Sequence, residues 1–186
     1  MLAVLGCSML FTQGCVGRLV GEGAEKALGP KGAYFEDTPL AAKRGAKPLA
    51  PYTQFELAPI KNDIGANLPG EFANLFYDEF RKQLMESKLP KQATGKTLLI
   101  ETMIIHYEKA DTTDNVLGPL EQVVARVKLV DKATGKVLGV ANCIGRTGKS
   151  VGLGVDWKAR GLAKGILRWV SDNYSIKEEE AQKQPS

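Results

Sequence analysis

Apolar positions along the chain follow two periods. Leu68, Phe72, Leu75, Phe76, Phe80 and Leu84 recur at spacings of three and four, which gathers them on one stripe of a helix. Asn67, Pro69 and Glu71 supply start chemistry for it: a capping side chain, a first-turn proline and an early acid. The spacing predicts a helix to about Ser87. A second stripe, Val155, Ala159, Leu162, Ala163, Ile166, Val170 and Tyr174, predicts another after a glycine-rich loop. Elsewhere the pattern is strand-like. Tyr52 to Ile60 alternates at Phe55 and Leu57, and Thr97 to Lys109 is rich in Ile, Leu and Thr. Glu121 to Val130 puts Val123, Ala125, Val127 and Leu129 on one face, with Arg126 and Lys128 on the other. Lys136 to Thr147 is its return arm, and Asp131-Lys-Ala-Thr-Gly135 is the turn between them, with Gly135 available for the left-handed conformation. The expected fold is α+β: a mainly antiparallel sheet of about four strands, two amphipathic helices on one face, in the order strand-helix-strand-strand-strand-helix. One covered sheet face is the simplest way to bury both helix stripes.

The flanks lack this periodicity. Residues 15–51 are rich in Gly, Pro, Ala and Lys and are punctuated by Pro30, Pro39, Pro48 and Pro51, so they read as a spacer. Residues 177–186, KEEEAQKQPS, read as a polar, disordered tail. One domain is expected over 52–176. Residues 1–14 begin with the uncharged apolar run MLAVLGCSMLF, which is shorter than the roughly 20 residues of a membrane-spanning helix. It has the length of the apolar centre of a secretory signal. Thr12-Gln13-Gly14-Cys15 follows and resembles the bacterial lipobox, in which a small residue precedes a cysteine that becomes diacylated. Two acyl chains hold a protein on a bilayer where one does not. Thr12 stands where lipoboxes favour Leu, and no basic residue precedes the apolar run, so a start upstream of Met1 is expected. Cys7, after Val4-Leu5-Gly6, is the alternative anchor, but an apolar stretch follows it, whereas Cys15 leads into polar, Gly-rich sequence. Val16 after the cysteine, rather than Asp, points to the periplasmic face of the outer membrane by the enteric sorting rule.

Composition narrows the function classes. A net charge of +4 is mildly basic, but the basic residues are scattered, which argues against a nucleic-acid partner. With Cys7 removed and Cys15 acylated, Cys143 is left as the one thiol, so no disulfide is expected, and its strand-like surroundings make it a small buried hydrophobe.

The segments TLLIETMIIHYEKAD, VVARVKLVDKATGKVLG, GKSVGLG and AKGILRWV, over roughly Phe55 to Tyr174, together resemble a bacterial lipoprotein family catalogued as domain of unknown function 4410. The most telling piece is the valine-alternating strand ending at Asp131, followed by Thr134-Gly135-Lys136. Asp111 to Pro119 is shorter and less arginine-rich than that family leads one to expect. The resemblance implies a secreted or lipid-anchored protein with no activity attached. More widely, the pattern resembles small α/β envelope domains that bind protein partners.

Individual side chains offer little chemistry. Gly145-Arg-Thr-Gly148-Lys149-Ser150 suggests a phosphate-binding loop, but Cys143 occupies the position of its first glycine and the preceding strand is a hairpin arm, so no nucleotide is expected. His106 is the single histidine; on a regular strand Glu101 and Tyr107 point to the opposite face and Glu108 shares its own, which leaves it structural. One histidine with one spare thiol makes no conventional zinc site, and no metal or cofactor is expected. Asp111, Asp114 and Asp156 are the carboxylates an envelope hydrolase would draw on, though Asp156 is explained by helix capping. Trp169 reads as core and Trp157 as the candidate contact residue. The chain is therefore expected to be a non-catalytic envelope lipoprotein anchored through Cys15, an interaction module for an envelope protein partner. A subunit of an oligomeric envelope assembly or secretion apparatus is the alternative, and a carboxylate hydrolase a more remote one.

Overall fold

The alternation in Gln122–Asp131 and Val137–Arg146 builds a central antiparallel hairpin (β5 and β6), in a computed structural model that describes residues 30–40, 47–92, 94–108, 121–146 and 154–174. Its turn has the expected form: Gly135 takes φ 69° and its N–H donates to the Asp131 carbonyl at 2.8 Å. The long Lys96–Tyr107 strand (β4) pairs antiparallel with β5. On the far side of β4 lie Tyr52–Leu57 (β2) and the short Lys61–Asn62 (β3), both parallel to it. Lys31–Thr38 (β1) closes the opposite edge, antiparallel to β6. The fold is α+β, with helices Phe72–Glu86 (α1) and Gly154–Asp172 (α2) and a mixed six-stranded sheet of order β1-β6-β5-β4-β2, in which β3 also pairs with β4.

This corrects the expected sheet of about four antiparallel strands. β2 leads through α1 into β4, a strand–helix–strand crossover, and such a connection returns the chain parallel. β1 lies in the stretch read as a spacer; Lys-Gly-Ala-Tyr-Phe-Glu-Asp-Thr has no alternation of apolar and polar residues to announce it, and the surface it pairs with is formed by distant β6. The start of α1 is corrected too. Asn67 ends a 3-10 turn, and Glu71 takes the N-cap position without a side-chain capping bond. The leader and Cys15 (1–29), residues 41–46, Asp111 and Asp114, Thr147 to Ser150 and the tail lie outside the described residues.

Both helices bury their stripes on one sheet face. Phe72, Phe76 and Phe80 of α1 join Leu98, Ile100 and Ile104 of β4 and Leu162, Ile166 and Trp169 of α2 in one core. The helices are cross-linked to each other, since Arg160 holds Glu79 at 3.0 Å and Gln83 donates to the Arg160 carbonyl at 3.1 Å. Burial disfavours the Glu79 carboxylate, but the Arg160 guanidinium prevails and keeps its pKa below the usual range. α2 meets β1 and β6 backbone to backbone: a Cβ on Gly32 would sit 2.2 Å from the Gly165 nitrogen.

Asp131 anchors the β5–β6 turn from inside. It accepts from Tyr52 Oη at 2.8 Å and from the amides of Ala133 and Thr134 at 3.1 Å, and Lys96 Nζ lies 3.2 Å away. The Tyr52 hydroxyl outweighs burial and, with Lys96 and Thr134, lowers the Asp131 pKa from 3.8 to about 2. A carboxyl whose folded pKa is depressed stabilises the fold fully above its unfolded value and loses that contribution as pH falls through the folded one. Stability should therefore decline as pH drops from 3.8 towards 2, and Asp131→Asn should flatten that part of an acid-denaturation curve followed by circular dichroism. An unchanged curve would remove Asp131 as the acid-sensitive anchor.

Candidate functional site

The sheet's second face is covered by neither helix. Residues paired across neighbouring strands point the same way, so the register places Phe35, Asn142, Arg126 and Met103 in one row across β1, β6, β5 and β4. Ala33, Ile144, Val124 and His106 form another row, and Lys128 faces Glu101. Phe35 is 62% exposed, a large aromatic ring left in solvent. Beside it Asp37 pairs with Arg126, and Lys132 pairs with Glu56 further along. Lys61, Glu101, Thr102, Met103, Arg126 and Lys128 line a shallow recess. This face thus presents an exposed aromatic ring and aliphatic side chains among charged ones.

A buried polar cluster sits where α2 begins. Lys158 is 1% exposed, with its ammonium 2.6 Å from Glu121 Oε2 and 4.3 Å from the centre of the Tyr107 ring, and it donates to the Glu108 carbonyl. The Glu121 contact is an ion pair without the angles of a hydrogen bond, and Glu108 Oε2 has no partner among the described residues. Burial first, and the Glu121 charge second, push the Tyr107 phenol upward. Gly154 leaves the room this requires, since a Cβ there would lie 2.4 Å from Glu121 Oε2.

The residues singled out in the sequence do not converge. His106 is exposed on the open face, and a register shift between Ile104 and His106 turns it there. It therefore shares that face with Glu101, which a regular strand would have sent to the other side. Cys143 is fully buried, and burial pushes its thiol up to about 12. Trp169 is core, as expected, and its indole N–H donates to Glu36 at 2.7 Å. Trp157 is half-buried rather than prominent. Asp156 lies in the first turn of α2, where a carboxylate suits the helix dipole. Gly145 is explained by packing, because its Cα lies against the backbone of Lys158 and Leu162. Among the described residues, no group of three His, Cys, Asp or Glu is placed to hold a metal ion, and no helix is long and apolar enough to cross a membrane. Sequence reasoning missed both Phe35 and Lys158. The prolines flanking β1, Pro30 and Pro39, were the one available hint of a bounded strand.

Comparison with solved structures finds similarities at low sequence identity. A dodecameric PelC variant from Paraburkholderia phytofirmans is 14% identical, with a TM-score of 0.50 over 76% of this chain and 96% of that one. A second PelC dodecamer from the same organism gives 13% and 0.43 over the same shares. A PDZ domain protein from Parabacteroides distasonis gives 12% and 0.38, covering 80% of this chain and 38% of that one. No family model and no curated relative matches the sequence.

Proposed function

We propose that the chain is a non-catalytic, membrane-tethered interaction module of the bacterial cell envelope, held by a diacylated Cys15 and contacting a protein partner through the open face of its sheet. The observation that carries the contact surface is Phe35, 62% exposed near the Asp37–Arg126 pair, on a sheet whose other face packs against both helices. The tether rests on the apolar run before Cys15 and on the lipobox resemblance. The periplasmic face of the outer membrane is the address it suggests. Confinement near a membrane raises effective concentration, so a contact of modest affinity suffices.

A second reading, a subunit of an oligomeric envelope assembly, is favoured by the shared fold of the PelC dodecamer. Two measurements test the first reading. Metabolic labelling with a clickable fatty acid should mark the wild-type chain and leave Cys15→Ser unmarked and released from membranes; no label on the wild type removes the anchor. A photo-crosslinker at position 35 should trap a specific envelope protein, and one on the solvent side of α1, at Met85, should not. Equal trapping at both positions counts against the open face.

A further inference from the structure

β1 lies at one end of the sheet and, among the described residues, pairs only with β6, so one side of its backbone is uncommitted. Free edges of this kind take up another strand unless something blunts them. Here the blunting is at the ends: Pro30 and Pro39 flank the strand, and the register slips between Glu36 and Thr38. The middle, Ala33-Tyr34-Phe35, carries no proline and no charge. The opposite edge is poorer ground for pairing, because Pro51 and Pro59 bracket β2, which ends at Leu57, and β3 adds only Lys61–Asn62.

The strand is also complementary to itself. Lys31, Ala33, Phe35 and Asp37 share the open face, with Lys31 at one end and Asp37, oriented by Arg126, at the other. Laid antiparallel against a second copy with Tyr34 on the two-fold axis, Lys31 of each strand falls opposite Asp37 of the other, and each Phe35 falls opposite an Ala33. Opposite charges and an aromatic against a small apolar residue are the favourable cross-strand pairs. The two-fold makes every contact twice.

We propose that the partner seated on this edge is a second copy of the chain, joined β1 to β1 in antiparallel register about Tyr34, so that the two sheets become one. This deepens the interaction-module reading and rests on it for the role of the surface, but not for the membrane anchor.

Sedimentation of the full chain carrying Cys7→Ser and Cys15→Ser tests it by charge exchange. The parent should form a dimer with concentration. Lys31→Asp and Asp37→Lys should each self-associate about tenfold more weakly, because like charges then face each other twice. An equimolar mixture of the two should recover the dimer, since every pair is again opposite in sign. Tyr34→Cys gives an independent readout: it should oxidise to a covalent dimer, whereas Lys31→Cys, about 20 Å from its mate at roughly 3.4 Å per residue, should not. A parent that stays monomeric at several hundred micromolar, or single-charge variants that associate like the parent, or a mixture no stronger than its components, overturns the proposal. A fatty-acid-labelled, membrane-bound chain that is monomeric overturns the pairing and leaves the tethered module standing. An unlabelled dimer removes the tether and leaves the pairing.

Discussion

Gly145→Ala is expected to be among the most damaging single substitutions in this protein. A Cβ at position 145 would lie 2.3 Å from the Lys158 carbonyl oxygen and 2.4 Å from the Leu162 nitrogen. Both are backbone atoms of α2, so no rotamer change relieves the overlap, and the helix must lift from the sheet. Lifting it also separates Gly161 from Lys31 and Gly165 from Ala33, whose carbonyls are 2.7 Å from where a Cβ would be at either glycine. Overpacking in a core costs about 1–3 kcal/mol where side chains can adjust, and with backbone on both sides the cost should be ~3 kcal/mol or more. Urea denaturation followed by circular dichroism should show the midpoint fall sharply. Gly70→Ala, where a Cβ meets nothing within 4 Å, serves as the control and should shift it little. Equal midpoints for the two variants would mean that α2 is not seated this closely on β1 and β6.

Lys158→Ala should cost a comparable amount for an electrostatic reason. Lys158 is 1% exposed and Glu121 12%, so removing the ammonium strands a carboxylate in a nearly dry site. Breaking a buried pair from one side typically costs about 3–5 kcal/mol, whereas replacing both charges by neutral groups of similar volume is often tolerated. Lys158→Met combined with Glu121→Gln should therefore recover most of the loss, and a double-mutant cycle in urea measures the coupling. A loss below about 1 kcal/mol for Lys158→Ala, the value of an exposed ion pair, would count against a buried cluster at this end of the sheet. The lysine also donates to the Glu108 carbonyl, so the same variant should loosen the end of β4.

These two sites show where sequence patterns stop. The four-residue spacing of Phe72, Phe76 and Phe80 was readable because a helix repeats locally, and all three residues are in the core. The alternation of Val123, Ala125, Val127 and Leu129 was readable for the same reason, as was the turn at Asp131 to Gly135, whose hydrogen bonds span only a few residues. Lys158 reads as an ordinary polar position on an amphipathic helix until β4 and β5 bring Tyr107, Glu108 and Glu121 against it. β1 reads as spacer because its strand identity comes from β6, more than a hundred residues later, and Phe35 could not be seen as a surface feature before it was seen as a strand residue. The register shift at His106 is likewise decided by pairing with β5, and it brings Glu101 onto the histidine's face.

The amino-acid sequence by itself determined the α+β class, both amphipathic helices, the β5–β6 hairpin and the burial of Cys143 and Trp169, since each depends on periodicity or turn chemistry within a short window. Tertiary structure alone decided the mixed sheet, the recruitment of β1, the backbone contact of α2 through glycines and the open face carrying Phe35. Those features come from residues far apart in the chain meeting at distances that no local pattern encodes.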